Sequence, residues 1–203
     1  MPERTDSSTT TTPVRPMRPD EGPEVAGLLA LALRDDPFIR WIAAGDHARA
    51  TRWMSAGLRM AQHRGLVLVD DGLAGAAVLM GPGAMPLPMR ENAALLPALL
   101  RAVGARRVPG VLRALTRLEA AQPPEPHWTG LVLGVHPALQ GTGVGRAIIE
   151  AALARTSRDR VGTYLEVCAG GPHALYRRFG FTRHATVDAG AGAPVMETMW
   201  RPA

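Results

Sequence analysis

Residues 131–146 read LVLGVHPALQGTGVGR, and the rest of the chain is best understood outward from them. Leu131-Val132-Leu133-Gly134-Val135 is an apolar run of strand character, and His136-Pro137 ends it. Gln140-Gly141-Thr142-Gly143-Val144-Gly145 then leads into a segment that carries Ile148, Ile149, Ala152 and Leu153 at helical spacing. Strand, glycine-rich turn and helix start is the layout of an anion cradle. The first N–H groups of a helix have no partner inside it and lie at the positive end of its dipole. Glycine removes the Cβ that would hold a phosphate away from them.

Three phosphate-binding patterns compete for this stretch. A P-loop needs a lysine after its second fixed glycine, and the sequence contains no lysine. The dinucleotide fingerprint needs G-x-G-x-x-G, whereas the glycines here stand at 141, 143 and 145 and are followed by Arg146. The third pattern is Q/R-x-x-G-x-G/A after a strand carrying V-x-V. Gln140 to Gly145 matches it at every fixed position, with Leu133-Gly134-Val135 just before. On these residues the chain resembles the GNAT superfamily of N-acetyltransferases, in which the motif binds acyl-CoA. A second stretch, Ala174-Leu175-Tyr176-Arg177-Arg178-Phe179-Gly180-Phe181, resembles the Leu-Tyr and Gly-Phe motif near the end of the same domains. The helical insert, the His127-Trp128 opening of the central strand and the tail from Phe181 to Trp200 look like the puromycin N-acetyltransferase branch.

The resemblance implies a mixed α/β fold, a mostly antiparallel twisted sheet flanked by helices in one domain, and acetyl-CoA as cosubstrate. It implies that Leu133, Gly134 and Val135 hold the pantetheine arm and polarise the thioester carbonyl. It places the pyrophosphate on Gln140, Gly141, Thr142, Gly143, Val144, Gly145 and Arg146, with Gln140 shaping the turn. Transfer of an acetyl group to an amine also needs proton traffic. Tyr176 is the candidate general acid, because a phenol keeps its proton at neutral pH; it also lies against the CoA. For the general base the sequence offers Glu166, His127 and Glu125, and a water chain is a further route. The family often has an asparagine in the loop before the Tyr176 helix, and Ala169-Gly170-Gly171-Pro172 supplies none. The acceptor, expected to be a small-molecule amine such as an antibiotic or metabolite, would be bounded by Phe38 and Trp41, by a helical insert at about 90–121 and by the last two strands. A non-catalytic CoA-binding sensor and an acetyltransferase of protein lysines or N-termini are the other roles this pattern leaves open.

Composition limits the function classes. The net charge of +5 comes with 23 basic residues that are all arginine and are scattered, Arg106-Arg107 and Arg177-Arg178 being the only pairs. No basic run is interleaved with aromatics, so nucleic acid is not an expected partner. No apolar stretch is long enough to span a bilayer, and the N-terminus does not read as a secretory signal. Cys168 is the single cysteine, on a predicted buried strand, where it reads as a small packed hydrophobe. These features suit a cytoplasmic protein, and the Ala, Gly, Pro and Arg bias suits a GC-rich bacterial genome. A monomer or a homodimer is expected. His47 and His63 are too far apart along one helix to form a metal pair, and His136 reads as structural, so no metal site is expected.

The polar run over 1–12 reads as a disordered tail ahead of a domain over 13–203. Val14 to Met17 is a strand candidate. Asp20 is the candidate N-cap of a first helix carrying Val25, Leu28, Leu29, Ala32 and Leu33. A second helix is predicted from about Asp46 to His63. A hairpin from Gly65 to Met80 turns at Asp70-Asp71-Gly72, and Gly81 to Pro88 is a loop. A helical region runs from Glu91 to Ala121, broken at Val108-Pro109-Gly110. Further strands are predicted at His127 to Val135, Val161 to Cys168, Phe181 to Val187 and Val195 to Arg201.

Overall fold

The computed structural model describes residues 13–85, 89–190 and 192–203; the expected tail over 1–12 and the loop prolines Pro86 and Pro88 lie outside them. Seven strands form one sheet in the order β1-β2-β3-β4-β5-β7-β6. They are β1 Val14–Pro16, β2 Gly65–Asp70, β3 Gly75–Met80, β4 His127–Val135, β5 Gly162–Cys168, β6 Thr182–Asp188 and β7 Val195–Arg201. Only β4 and β5 pair in parallel; the other neighbours are antiparallel. The single-domain, mostly antiparallel sheet expected from the sequence is the one observed.

The helices are α1 Gly22–Ala32, α2 Pro37–Ala43, α3 His47–Arg64, α4 Met89–Val103, α5 Val108–Ala120, α6 Val144–Thr156 and α7 His173–Arg177. The period-two alternation of β2 and β3 divides the core between them. Val67, Val69, Ala76, Val78 and Met80 pack with α1 and α3, while Leu68, Ala77 and Leu79 pack with Val144, Ile148 and Ala152 of α6. Strand β3 is therefore buried along its whole length and reads as continuously apolar. Gly134 lets α1 lie close on β4, since a Cβ there would stand 2.9 Å from Leu29 Cδ2 and 3.0 Å from the Ala32 Cβ.

Two local expectations need correction. Asp20 does not cap the first helix. Residues Pro19–Glu21 form a short 3-10 turn, and α1 starts after Glu21. The Glu21 carboxylate accepts from the Arg18 amide at 2.7 Å and from the Arg15 guanidinium at 2.7 and 2.9 Å. The Arg15 hydrogen bond, followed by that of the Arg18 amide, holds Glu21 at a pKa of about 2. The break in the insert falls at Gly104 (φ 80°) and not at Val108-Pro109-Gly110. Pro109 sits in the first turn of α5, where its missing N–H costs no hydrogen bond. Phe38 to Ile42 is helical, within α2. The Asp36 carboxylate starts α2 by accepting from the Phe38 and Ile39 amides at 3.0 and 2.9 Å.

Candidate active site

The site begins where β4 and β5 part. Their pairing runs from His127 opposite Gly162 to Gly130 opposite Leu165 and then stops. On the other edge of β4, Val78 faces Val132 and Leu79 faces Gly130, so Leu131 is an extra residue, a β-bulge. A bulge bends its strand and ends pairing. The His136 amide donates to the Ala74 carbonyl at 2.7 Å. Alternation along the strand then turns the Gly134 and Val132 amides toward β3 and the Leu133 and Val135 amides the other way, into the gap. The Val135 carbonyl, on that same side, accepts from Gln140 Nε2 at 3.2 Å. Gln140 thus braces the turn.

Beyond β4 the glycine turn is open. Gly141 and Gly143 adopt φ of 80° and 99°, and a Cβ at either would meet nothing within 4 Å. Gly143 is the N-cap of α6 and brings no side chain to the helix end. The first turn bond of the helix is Ala147 N–H to the Gly143 carbonyl at 3.0 Å. The amides of Val144, Gly145 and Arg146 precede it and have no intrahelical partner. Such an end can hold a phosphate through its N–H groups and dipole. The Arg146 guanidinium is engaged by Glu150 at 2.8 Å, and the Thr142 hydroxyl donates to the Leu139 carbonyl at 2.6 Å.

Two cavities meet at the gap. A narrow one of about 80 Å³ lies between the parted strands and is lined by Gly130 to Leu133, Leu165, Glu166, Tyr176 and Phe181. A larger one of about 580 Å³ lies on the opposite face, under α2, α3, α4 and α5, and its walls include Phe38, Trp53, Leu99, Leu115, Thr129 and Glu166. Among the described residues, Glu166 is the one ionisable side chain that lines both. Burial pushes its pKa up to about 7, against a smaller opposing effect of the Tyr164 hydroxyl, which donates to Oε1 at 3.2 Å. A carboxyl so poised exchanges a proton readily near neutral pH.

Tyr176 lies on α7 with its ring edge-on to Phe181 at 5.9 Å. Burial, then the charge of Asp36, raises its pKa to about 12, so it holds its proton throughout the neutral range. The helix that carries it is only one turn long and is fastened at its start by His173. The imidazole Nδ1 lies 2.9 Å from the Gly171 carbonyl and Nε2 lies 2.8 Å from Glu197 of β7. Neither His173 nor Glu197 stands out in the sequence, because their partnership depends on β7 inserting between β5 and β6. Asp36 likewise gives no sequence signal as a site residue. The Cys168 thiol lies 3.6 Å from its Oδ2, and burial followed by that carboxylate pushes the thiol up to about 11. Cys168 is buried and protonated, as its predicted packing role requires.

The remaining sequence candidates fall outside the gap. His127 stands at the paired end of β4, with Nδ1 2.6 Å from the Glu125 carbonyl and its ring 5.6 Å from that of Tyr164. It lines neither cavity. Phe38 lines the larger cavity, but Trp41 packs behind it, ring to ring at 5.8 Å, and its carbonyl accepts from Arg107. The His136 ring accepts from the Ala138 amide at 3.3 Å and shapes the turn. Among the described residues no three His, Cys, Asp or Glu side chains gather as metal ligands, and no helix is long and apolar enough to cross a membrane.

Residues 101–183, which contain the bulge, the glycine turn, Glu166 and Tyr176, match the sequence model of the acetyltransferase (GNAT) domain. In that region the chain is similar to GNAT acetyltransferase domains. Its fold is also that of solved GNAT proteins. A structure described as histone acetyltransferase HPA2 and related acetyltransferase from Corynebacterium glutamicum superposes with a TM-score of 0.69 at 24% identity, over 94% of this chain and 96% of that one. The Drosophila melanogaster polyamine N-acetyltransferase, which forms N-acetylagmatine, gives 0.62 at 16% identity over 94% and 99%. A mosquito arylalkylamine N-acetyltransferase-like protein gives 0.58 at 14% over 94% and 99%. At these identities the likeness is one of GNAT architecture.

Proposed function

We propose that the protein is an acetyl-CoA-dependent N-acetyltransferase that acts on a primary amine of a small molecule. The observation that carries this reading is the position of Glu166, on the wall common to the inter-strand gap and the larger cavity. The residues present fit acetyl-CoA. The turn at Gly141 and Gly143 is clear of side chains, and the amides of Leu133 and Val135 face the gap with no strand beside them. When bound, acetyl-CoA supplies an acyl group activated as a thioester.

Each residue then has a defined task. The amides of Val144, Gly145 and Arg146 hold a diphosphate at the end of α6. The Leu133 and Val135 amides align the extended arm and offer a hydrogen bond where negative charge develops on an acyl oxygen. Glu166, ionised above its pKa of about 7, takes the proton that an ammonium group must lose before it can attack. The Tyr164 hydroxyl orients that carboxyl. Tyr176 supplies a proton to the departing sulfur. His173 and Glu197 fix the one-turn helix from which Tyr176 extends.

The larger cavity supports a small acceptor rather than a peptide, since helices wall it on the side away from the sheet. Two of the fold neighbours are named for small amines, agmatine and arylalkylamines, and another is named a histone acetyltransferase, so the cavity and not the neighbours carries the choice. The test is incubation with acetyl-CoA and a panel of amines, antibiotics included, with release of the free thiol measured and acetyl-CoA binding followed by calorimetry. Thiol release that depends on an amine is expected. Failure to bind acetyl-CoA, with no release for any amine, would overturn the reading.

A further inference from the structure

We infer that the acceptor is a bulky, mainly apolar amine carrying a second hydrogen-bond donor, and that Glu119 recognises that donor. The inference rests on the acetyltransferase reading and specifies its substrate class. It starts from the walls of the larger cavity. Trp53, Met54, Met60, Met85, Leu99 and Leu115 surround a space of about 580 Å³, the size of a site for a drug-sized ligand. A thin polar chain such as a linear polyamine would leave these walls in contact with trapped water, whereas a broad apolar body removes them from it. The three methionines are unbranched and adaptable, so they accept apolar bodies of different outline.

Two carboxyl groups interrupt the apolar lining, and they lie on different walls. Glu166 belongs to the sheet, at the junction with the gap, and takes the reacting amine. Glu119 belongs to α5, within the insert. It lines that wall together with Thr116 and Gln122, three residues to either side. A carboxylate set among polar neighbours on an otherwise apolar wall offers a hydrogen-bond acceptor to a ligand that carries a donor. A hydroxyl, amide or second ammonium placed away from the reacting amine satisfies it. Leu96 and Leu112 line the same cavity and are exposed, which places its mouth between α4 and α5, beside the insert that carries Glu119. A site built to bond a substrate donor rejects the analogue that lacks it more sharply than an apolar wall rejects a missing methylene.

The experiment compares phenylalkylamines with and without a terminal hydroxyl or second amine, and a linear polyamine, by kcat/KM. The wild-type protein is expected to favour the donor-bearing aryl amines over the plain ones by about 10- to 100-fold, with the polyamine poorest. Glu119→Leu is expected to bring that ratio to about one through loss of the donor-bearing substrate. Glu119→Gln keeps the shape and serves the same comparison, with a reduced ratio expected, where Glu119→Leu does not fold. Turnover that ignores the donor, or a polyamine that outruns every aryl amine, overturns the inference and leaves the acetyltransferase reading intact. No acetyl-CoA binding and no turnover at all overturns that reading and this inference with it.

Discussion

Around the glycine turn the groups proposed to face a ligand are main-chain amides from one short stretch, Leu133 to Arg146. Around the apolar cavity they are side chains drawn from α1, α2, α3, α4, α5 and the sheet. The first arrangement constrains the sequence locally, because only certain residues let backbone approach a phosphate. The second constrains volume and polarity but not residue order, because many combinations of apolar side chains fill the same space. Glu166 is where the two meet, and substitutions on either side of it should separate their contributions.

The largest effect is expected at the junction. Glu166→Gln should lower kcat by about 10²- to 10⁴-fold, the usual range for a general base. In the wild-type protein kcat should rise with pH through a midpoint near 7, because the active carboxylate forms as Glu166 loses its proton. It should then stay level past pH 10, because Tyr176 keeps its proton up to about 12. The rising limb should vanish in Glu166→Gln; its survival at the same pH would move the base elsewhere. The effect on stability runs the other way. A folded pKa of about 7, above the ordinary 4.5, means that the native state binds more protons, so Glu166 subtracts stability as pH rises between those values. Thermal melts at pH 8 should therefore show Glu166→Gln at least as stable as the wild type.

Tyr176→Phe should come next, with kcat down by about 10²-fold and acetyl-CoA affinity held within about 3-fold. An unchanged kcat would reduce Tyr176 to packing. On the backbone side, Gly143→Val forces a β-branched residue to φ 99° at the helix start. Calorimetry should show acetyl-CoA binding weakened by about 10-fold or more. On the side-chain side, Phe38→Ala removes an aromatic wall from the acceptor cavity. The acceptor KM should rise by about 10-fold with acetyl-CoA affinity unchanged. A matching loss of acetyl-CoA affinity would mean that the two regions are not separable.

The same division separates what is legible in the amino-acid sequence from what is not. The Leu133-Gly134-Val135 strand and the turn glycines stand out in the sequence by short-range spacing, and Tyr176 by the motif it lies in, whereas Glu166 is there one of three candidate bases. The mostly antiparallel sheet follows from the same elements. His127 is a candidate by residue type alone, and its pairing with Gly162 puts it four positions from the bulge, at the closed end of the strands. Glu119 gives no signal, being one of several charges on an amphipathic helix. Its significance comes only from the cavity that α5 closes. The His173–Glu197 contact is hidden for a similar reason, since it spans a crossover in strand order.

The bulge at Leu131 has a consequence for how long the molecule survives. Two adjoining strands that diverge leave a seam in the sheet, and the amides of Leu133 and Val135 line it. On the proposed reading, an extended amide-bearing arm seated there would act as a guest strand and close the seam. Donor occupancy would then add to the cohesion of the whole sheet, by about 2.7 kcal/mol when the donor is present at a hundred times its Kd. The melting temperature should climb with acetyl-CoA concentration, so that resistance to unfolding and proteolysis tracks the supply of the acetyl donor.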